Sequence, residues 1–124
     1  MGKMSDDYKA HLAAWQRGDM ETALSYIDDN IEWYPNRSMR VVNGKAKMRE
    51  FLGKFATGMS EIFYEQSLMI EQGNLLFVEG TENYTKNGKK ITVPYAGVVE
   101  WKDGKAIMWR DYFDLKSLEK QLTA

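Results

Sequence analysis

The spacing of apolar residues changes from helical to alternating about halfway along the chain. In residues 6–17 the apolar positions recur every three or four residues, which predicts an amphipathic helix whose buried side carries Tyr8, Leu12 and Trp15. After Gly58 apolar and polar residues alternate, as they do on half-buried strands. The chain is therefore predicted to place its helices first and most of its strands last.

Two more helices and one strand are predicted before that change. Asp19 can cap a second helix that runs to Ile27, where the polar run Asp28-Asp29-Asn30 breaks it. A strand follows over residues 31–34. Asn43-Gly44 then begins a third helix, whose single apolar stripe is formed by Met48, Phe51, Leu52, Phe55 and Met59.

Four strands and a short final helix are predicted in the second half. The strands lie near residues 62–70, 75–85, 91–101 and 106–113, and the helix over 116–122. Turns are predicted at Gln72-Gly73-Asn74, Asn87-Gly88 and Asp103-Gly104, of which the last two are strong hairpin signals. This order predicts one α+β domain over residues 1–124, a curved antiparallel sheet wrapped around three helices, with a pocket at the open end of the cone.

Composition excludes several classes of function. There is no cysteine, so disulfides and thiolate chemistry are absent, and the composition fits a cytoplasmic protein. The net charge is −1 with no basic stripe, which argues against nucleic-acid binding, and no apolar run is long enough to span a membrane. His11 is the only histidine and lies beside the apolar side of the first helix, without a cluster of metal ligands. We expect no metal and no cofactor.

The last predicted strand carries the most distinctive chemistry. Alternation puts Trp109, Asp111 and Phe113 on one face of this strand, and Arg110, Tyr112 and Asp114 on the other. A carboxyl group between two large aromatic residues either takes a raised pKa, which suits proton transfer, or needs a hydrogen-bonding partner close by. Asp111 is therefore a candidate acid or base.

The element order and two motifs carry a resemblance to a known family. The motifs are Tyr34-Pro35-Asn36 and the final stretch Trp109-Arg110-Asp111-Tyr112-Phe113-Asp114-Leu115. With them, the chain resembles the cone-shaped domains of the nuclear-transport-factor-2-like (NTF2-like) superfamily, and within it the SnoaL-like polyketide cyclase and limonene-1,2-epoxide hydrolase branch. In those hydrolases a Tyr, an Asn and an aspartate hold the attacking water, a second aspartate protonates the epoxide, and an arginine bridges the two acids.

The resemblance implies catalytic roles for Asp111, Tyr34 and Asn36. Asp111 matches one acid, and Tyr34 and Asn36 match the pair that holds water. Where the family has Arg-x-Asp on the second strand of the meander, this chain has Gly80-Thr81-Glu82, so Glu82 replaces the second acid and the arginine is lost. Without a bridging guanidinium, Glu82 and Asp111 are predicted to share one proton as a coupled pair.

Other residues are predicted to line the pocket, and several alternatives remain open. The predicted substrate-binding residues are Trp109, Tyr95, Phe113, Val93 and Gly80. Glu82 could instead face solvent at a hairpin edge, Tyr34 and Asn36 could serve only the turn at Pro35, and Tyr95 could be packing. The loop after Asn36 carries two arginines that could reach inward in place of the lost one, Arg37 and Arg40.

The first functional hypothesis is a small cofactor-independent SnoaL-like enzyme that performs general acid–base chemistry on a hydrophobic metabolite. Epoxide hydrolysis, cyclisation and isomerisation all fit it. The alternatives are a non-catalytic module that binds an apolar ligand and a purely structural interaction domain. The resemblance also implies a homodimer through the outer face of the sheet, with Tyr112, Trp101 and Phe63 as its apolar contacts.

Overall fold

The first two helices form a short hairpin at one end of the chain. The computed structural model describes residues 2–124, and its first helix, α1, spans Lys3–Gln16. Helix α2 spans only Met20–Leu24, and the Asp19 carboxylate caps it by accepting from the Thr22 amide at 3.1 Å. The prediction that this helix reaches Ile27 is wrong, because Ile27 is already a fully buried strand residue.

The first strand, β1, is longer than its sequence pattern suggests. It spans Ile27–Tyr34, and the polar run Asp28-Asp29-Asn30 lies inside it. The ladder to its parallel neighbour is irregular between Ile27 and Glu32, so these polar residues bulge outward while Ile27 and Ile31 stay in the core. The polar run therefore marks an irregular stretch of strand rather than a break.

Strand β2 and helix α3 follow. β2 spans Val42–Asn43 and α3 spans Lys45–Phe55 after Gly44, whose φ is +94°. Of the predicted stripe only Met48 is fully buried, and Met59 belongs to the next strand. The remaining three stripe residues are half-buried because they face a cavity rather than a filled core: Phe51, Leu52 and Phe55.

The second half is the predicted antiparallel meander. Its strands are β3 (Met59–Gln72), β4 (Leu75–Lys86), β5 (Lys89–Lys102) and β6 (Lys105–Tyr112). Both strong hairpin signals are confirmed, since Asn87-Gly88 and Asp103-Gly104 all have positive φ, between 52° and 80°. Two successive residues of positive φ form the turn that matches the twist of paired strands.

The first strand joins the meander through contacts between distant parts of the chain. The strand order is β2-β1-β6-β5-β4-β3, with β1 parallel to β6 and all other pairs antiparallel. The last helix, α4 (Leu115–Thr123), is capped by the Asp114 carboxylate and packs Leu118 against Ile91 and Val93 of β5. The predicted α+β architecture is confirmed. No helix within residues 2–124 is long and apolar enough to cross a membrane.

The two faces of the sheet differ in what they expose. Trp101 is only 5% exposed and packs in the core, so its predicted place on the outer face is wrong. It shares the inward face with the fully buried Val99, two residues earlier on β5. The large apolar side chains that are exposed include two of the predicted ones and three others: Phe63, Tyr112, Leu68, Ile70 and Phe77.

Candidate active site

A cavity of about 280 Å³ lies between the helices and the concave face of the sheet. Its walls come from α1, α3, α4 and strands β4 to β6, together with Trp33 and Tyr64. Most of the lining is aromatic or aliphatic, and two carboxyl groups are part of it: Glu82 and Asp111. Four of the five predicted substrate-binding residues line this cavity: Trp109, Tyr95, Phe113 and Val93.

Asp111 reaches the cavity from β6 and is held by its neighbours. The Trp109 indole N–H donates to its Oδ1 at 3.1 Å. Burial, helped by the nearby charge of Glu82, raises the pKa of Asp111 to about 8, although the indole hydrogen bond opposes this rise. At neutral pH this carboxyl group can therefore hold a proton and donate it.

Glu82 reaches the same cavity from β4, which places it between Tyr64 on β3 and Val93 on β5. The alternative in which it faces solvent does not hold. Burial raises the pKa of Glu82 to about 7, and interaction with the Tyr64 side chain opposes that rise. Of the two acids, Glu82 ionises more readily, because the charge of Glu82 raises the pKa of Asp111 further.

No arginine within residues 2–124 lines the cavity. Arg37 lies over the ring of Tyr34, with its guanidinium carbon 4.6 Å from the ring centre, and Arg40 is exposed. Neither replaces the missing family arginine. The charge of Glu82 raises the pKa of Asp111, so Glu82 is the first of the two carboxyl groups to lose its proton as the pH rises.

Tyr34 and Asn36 do not line the cavity, which corrects their predicted role as a water-holding pair. The buried neighbour Trp33 points inward, so alternation turns Tyr34 away, and its hydroxyl donates to Glu32 at 3.3 Å. Asn36 is buried and already hydrogen-bonded, because its amide donates to the Phe113 carbonyl at 2.8 Å and its oxygen accepts from Ser38. Asn36 thus joins the loop after β1 to Phe113, directly after β6.

Gly80 also lies outside the cavity lining, so its prediction as a substrate-binding residue is wrong. A side chain at Gly80 would run into the backbone of Glu65 and Gln66 on β3, next to the irregular register between Gln66 and Leu68. The glycine is needed for close approach of two strands. The glycine that makes room in the site is Gly97, where an added Cβ would stand 2.8 Å from the Asp111 Oδ1.

Three tyrosines add hydroxyl groups near the acids. The hydroxyls of Tyr8 and Tyr95 are 2.7 Å apart, and the ring of Tyr64 meets that of Tyr95 edge to face with centres 5.9 Å apart. Burial raises the pKa of all three, so they remain neutral donors. Sequence reasoning missed Tyr8 and Tyr64 as site residues, because their apolar spacing is also that of core residues.

Family comparison agrees with this geometry. A family model described as a SnoaL-like domain matches residues 8–109. The chain belongs to the SnoaL-like domain family. Among curated protein sequences none matches the chain.

Solved structures share the fold of this SnoaL-like domain. An LEH-like epoxide hydrolase from M. tuberculosis is 24% identical, with a TM-score of 0.81 over 96% of this chain and 91% of that one. An NTF2-like protein of unknown function from Burkholderia pseudomallei is 22% identical, with a TM-score of 0.86 over 100% of both chains. A proposed SnoaL-like polyketide cyclase from Shewanella putrefaciens is 16% identical, with a TM-score of 0.86 over 99% and 98%. The resemblance predicted from the motifs is confirmed.

Gly97→Ala tests whether Gly97 shapes the acid site of this SnoaL-like domain. The new methyl group meets the Asp111 carboxyl, which we expect to rotate away from the Trp109 indole and so to lose a hydrogen bond that lowers its pKa. Carbon-13 titration of the Asp111 carboxyl should show a raised pKa. Gly53→Ala is the control, since nothing lies within 4 Å of a Cβ there and alanine favours the helix. An unchanged Asp111 titration in Gly97→Ala contradicts the assignment.

Proposed function

We propose that this SnoaL-like domain is a cofactor-independent enzyme that transfers protons on a hydrophobic metabolite. The observation that carries the proposal is the pair of carboxyl groups, Glu82 and Asp111, with pKa values near neutral in an otherwise largely apolar cavity. General acids and bases work best when their pKa lies near the working pH. An apolar lining favours a substrate that is itself mostly apolar.

The proposed chemistry uses the one proton that the pair shares. Glu82 is ionised and takes a proton from a carbon next to a carbonyl group of the substrate. Asp111 gives its proton to the carbonyl oxygen as negative charge develops there, and the substrate becomes an enol. Glu82 is now protonated and Asp111 ionised, so charge is conserved. In an isomerisation, Glu82 then gives its proton to a different carbon of the conjugated enol while Asp111 takes back the proton on oxygen, which restores the carbonyl group and both acids. In a cyclisation, the enol carbon instead attacks a second carbonyl carbon of the substrate, whose oxygen takes the proton from Glu82 while Asp111 takes back the enol proton.

Among the reactions that the family resemblance suggests, isomerisation and cyclisation fit the site better than epoxide hydrolysis. Hydrolysis in the known form needs a held water and a bridging arginine. Tyr34 and Asn36 lie outside the cavity lining, and Arg37 stacks on Tyr34. What supports the proposal is that the cavity lining holds a proton donor, Asp111, and a proton acceptor, Glu82, but neither Tyr34 nor Asn36.

Deuterium exchange into 2-tetralone tests proton abstraction directly. In deuterium oxide, the wild-type protein is expected to exchange the protons on the carbon next to the carbonyl group of 2-tetralone faster than buffer alone does. Proton NMR measures this exchange. Limonene oxide is assayed in parallel, with chiral chromatography of the diol. Exchange without diol formation supports the proposal as stated, and diol formation would assign a hydrolase instead.

The alternative function is a binding module in which the acids only hydrogen-bond a ligand. It predicts that 2-tetralone raises the melting temperature while no exchange and no hydrolysis occur. That result would overturn the enzymatic proposal. The apolar lining alone fits both functions, so turnover is the observation that separates them.

We also propose that two copies of the chain associate through the outer face of the sheet. Ile70 and Phe77 are paired across β3 and β4, and both are exposed there, with Leu68 nearby. Sedimentation equilibrium should give a dimer for the wild type and a monomer for Ile70→Asp. Lys102→Asp, on the exposed end of β5, is the control and should remain dimeric. A monomeric wild type would contradict this arrangement.

A further inference from the structure

The imidazole of His11 is a polar group of the cavity that takes no part in the proposed proton transfer. His11 lies on α1 and is 6% exposed, so it belongs to the buried side of the helix. The sequence pattern instead predicts a position beside that side. The ring of His11 lines the cavity. The imidazole also packs against the Trp109 indole, with ring centres 5.0 Å apart. This is the indole that donates to Asp111, so His11 and Asp111 both contact Trp109.

The structure fixes which nitrogen of His11 carries the proton. Nδ1 lies 2.8 Å from the carbonyl oxygen of Ala23 on α2. A carbonyl can only accept, so Nδ1 must be the donor. Burial lowers the pKa of the imidazolium, so the ring stays neutral. In a neutral imidazole with Nδ1 protonated, Nε2 has a free lone pair.

That lone pair has no partner in the part of the chain from residue 2 to residue 124, where no hydrogen bond to Nε2 is formed. His11 lines the cavity, so a bound ligand can supply the donor that this acceptor lacks. Of the other polar groups at the cavity, the ionised Glu82 is also an acceptor, but the proposed chemistry uses it as the base. Tyr8, Tyr64 and Tyr95 carry hydroxyl donors, and Asp111 holds a proton near neutral pH.

We propose that His11 Nε2 accepts a hydrogen bond from a hydroxyl group of the substrate, and that the substrate is therefore an apolar molecule with a hydroxyl donor as well as the oxygen that meets Asp111. His11 is then a specificity-determining residue. This inference rests on the proposed function, because it requires that the substrate binds in this cavity.

Two naphthalenes that differ by one methyl group test the inference without any turnover. 2-Naphthol carries the hydroxyl donor, and 2-methoxynaphthalene has the same ring with no donor. Wild type is expected to bind 2-naphthol more tightly, in calorimetric titrations of both. Loss of one hydrogen bond to a buried acceptor corresponds to roughly a tenfold change in affinity.

His11→Asn and His11→Gln form a matched pair of variants. An asparagine amide can keep the donor to the Ala23 carbonyl but has no atom at the place of Nε2, whereas a glutamine can put an amide oxygen there. His11→Asn is expected to weaken the affinity for 2-naphthol by roughly tenfold and to leave the affinity for 2-methoxynaphthalene within about twofold of the wild-type value. His11→Gln is expected to restore part of the preference for the alcohol. Equal weakening of both ligands in His11→Asn would overturn the inference, because that is what loss of packing alone would do.

The chain has one histidine, which gives a second readout on the wild type itself. Long-range proton–nitrogen-15 spectra should show Nδ1 protonated and Nε2 free, and 2-naphthol should move the Nε2 resonance while the ether does not. A proton on Nε2 in the free protein, or failure of 2-naphthol to bind, would reject the inference. If 2-tetralone shows no exchange but the naphthalenes are still discriminated through His11, the proposed catalysis fails and the His11 site stands.

Discussion

Replacement of Asp111 by Asn is expected to lower kcat for exchange of 2-tetralone by roughly a hundredfold or more. The amide keeps the size of the carboxyl group and can still interact with the Trp109 indole, but it cannot give a proton to the substrate oxygen. The measurement is the initial rate of deuterium incorporation at saturating substrate. Circular dichroism and the melting temperature establish that the variant is folded.

Asp103→Asn is the matched control for that substitution. Asp103 lies in the hairpin turn between β5 and β6, is exposed, and has a φ of +53°, which asparagine tolerates well. The same change of chemistry there should leave kcat within about twofold, as exposed positions remote from a site usually do. Unchanged exchange in Asp111→Asn would remove Asp111 from the mechanism.

Glu82→Gln separates a coupled pair from two independent acids. The charge of Glu82 contributes to the raised pKa of Asp111, so its removal should lower the pKa at which Asp111 titrates. The measurement is a carbon-13 titration of the Asp111 carboxyl in the variant and in wild type. An identical titration would show that the two carboxyl groups do not interact.

The acid pair could be predicted from the sequence because strand alternation is a local rule. Alternation along β6 puts Asp111 on the face of Trp109, and the same rule along β4 turns Glu82 inward with Tyr84. The rule gives a face but no distance between strands. The prediction for Tyr34 failed because the motif Tyr34-Pro35-Asn36 was matched by its residue types. The inward position at that place is taken by Trp33, which packs in the core and lines the cavity.

The hairpins of the sheet were predictable, and its parallel pair was not. Asn87-Gly88 and Asp103-Gly104 specify their turns through the backbone angles that these residues accept. The pairing of Trp33 with Trp109 joins strands far apart in the chain, so no local signal marks it. The position of the His11 ring also depends on a non-local contact, since its hydrogen-bond partner, the Ala23 carbonyl, lies on another helix.

The acid pair is also expected to make the folded protein less stable as the pH rises. The folded-state pKa values, about 8 for Asp111 and about 7 for Glu82, lie above the ordinary values of 3.8 and 4.5. Between about pH 4 and pH 8 the folded protein therefore holds more protons than the unfolded chain. The free energy of unfolding falls with pH wherever that is true. The contribution of this pair is thus greatest in acid, falls progressively between about pH 4 and pH 8, and is fully lost above the folded-state pKa values.

Asp111→Asn should therefore be more stable than wild type at pH 8.5, and about equal to it at pH 4.5, where the wild-type carboxyl group is already neutral. Urea unfolding at the two pH values measures the difference, which we expect to reach a few kcal/mol, since each unit of pKa shift is worth ~1.4 kcal/mol. Asp103→Asn should show no such pH-dependent gain. A constant difference between Asp111→Asn and wild type across this range would mean that Asp111 ionises normally in the fold. A gain in stability together with loss of exchange would identify Asp111 as a group retained for chemistry at the expense of stability.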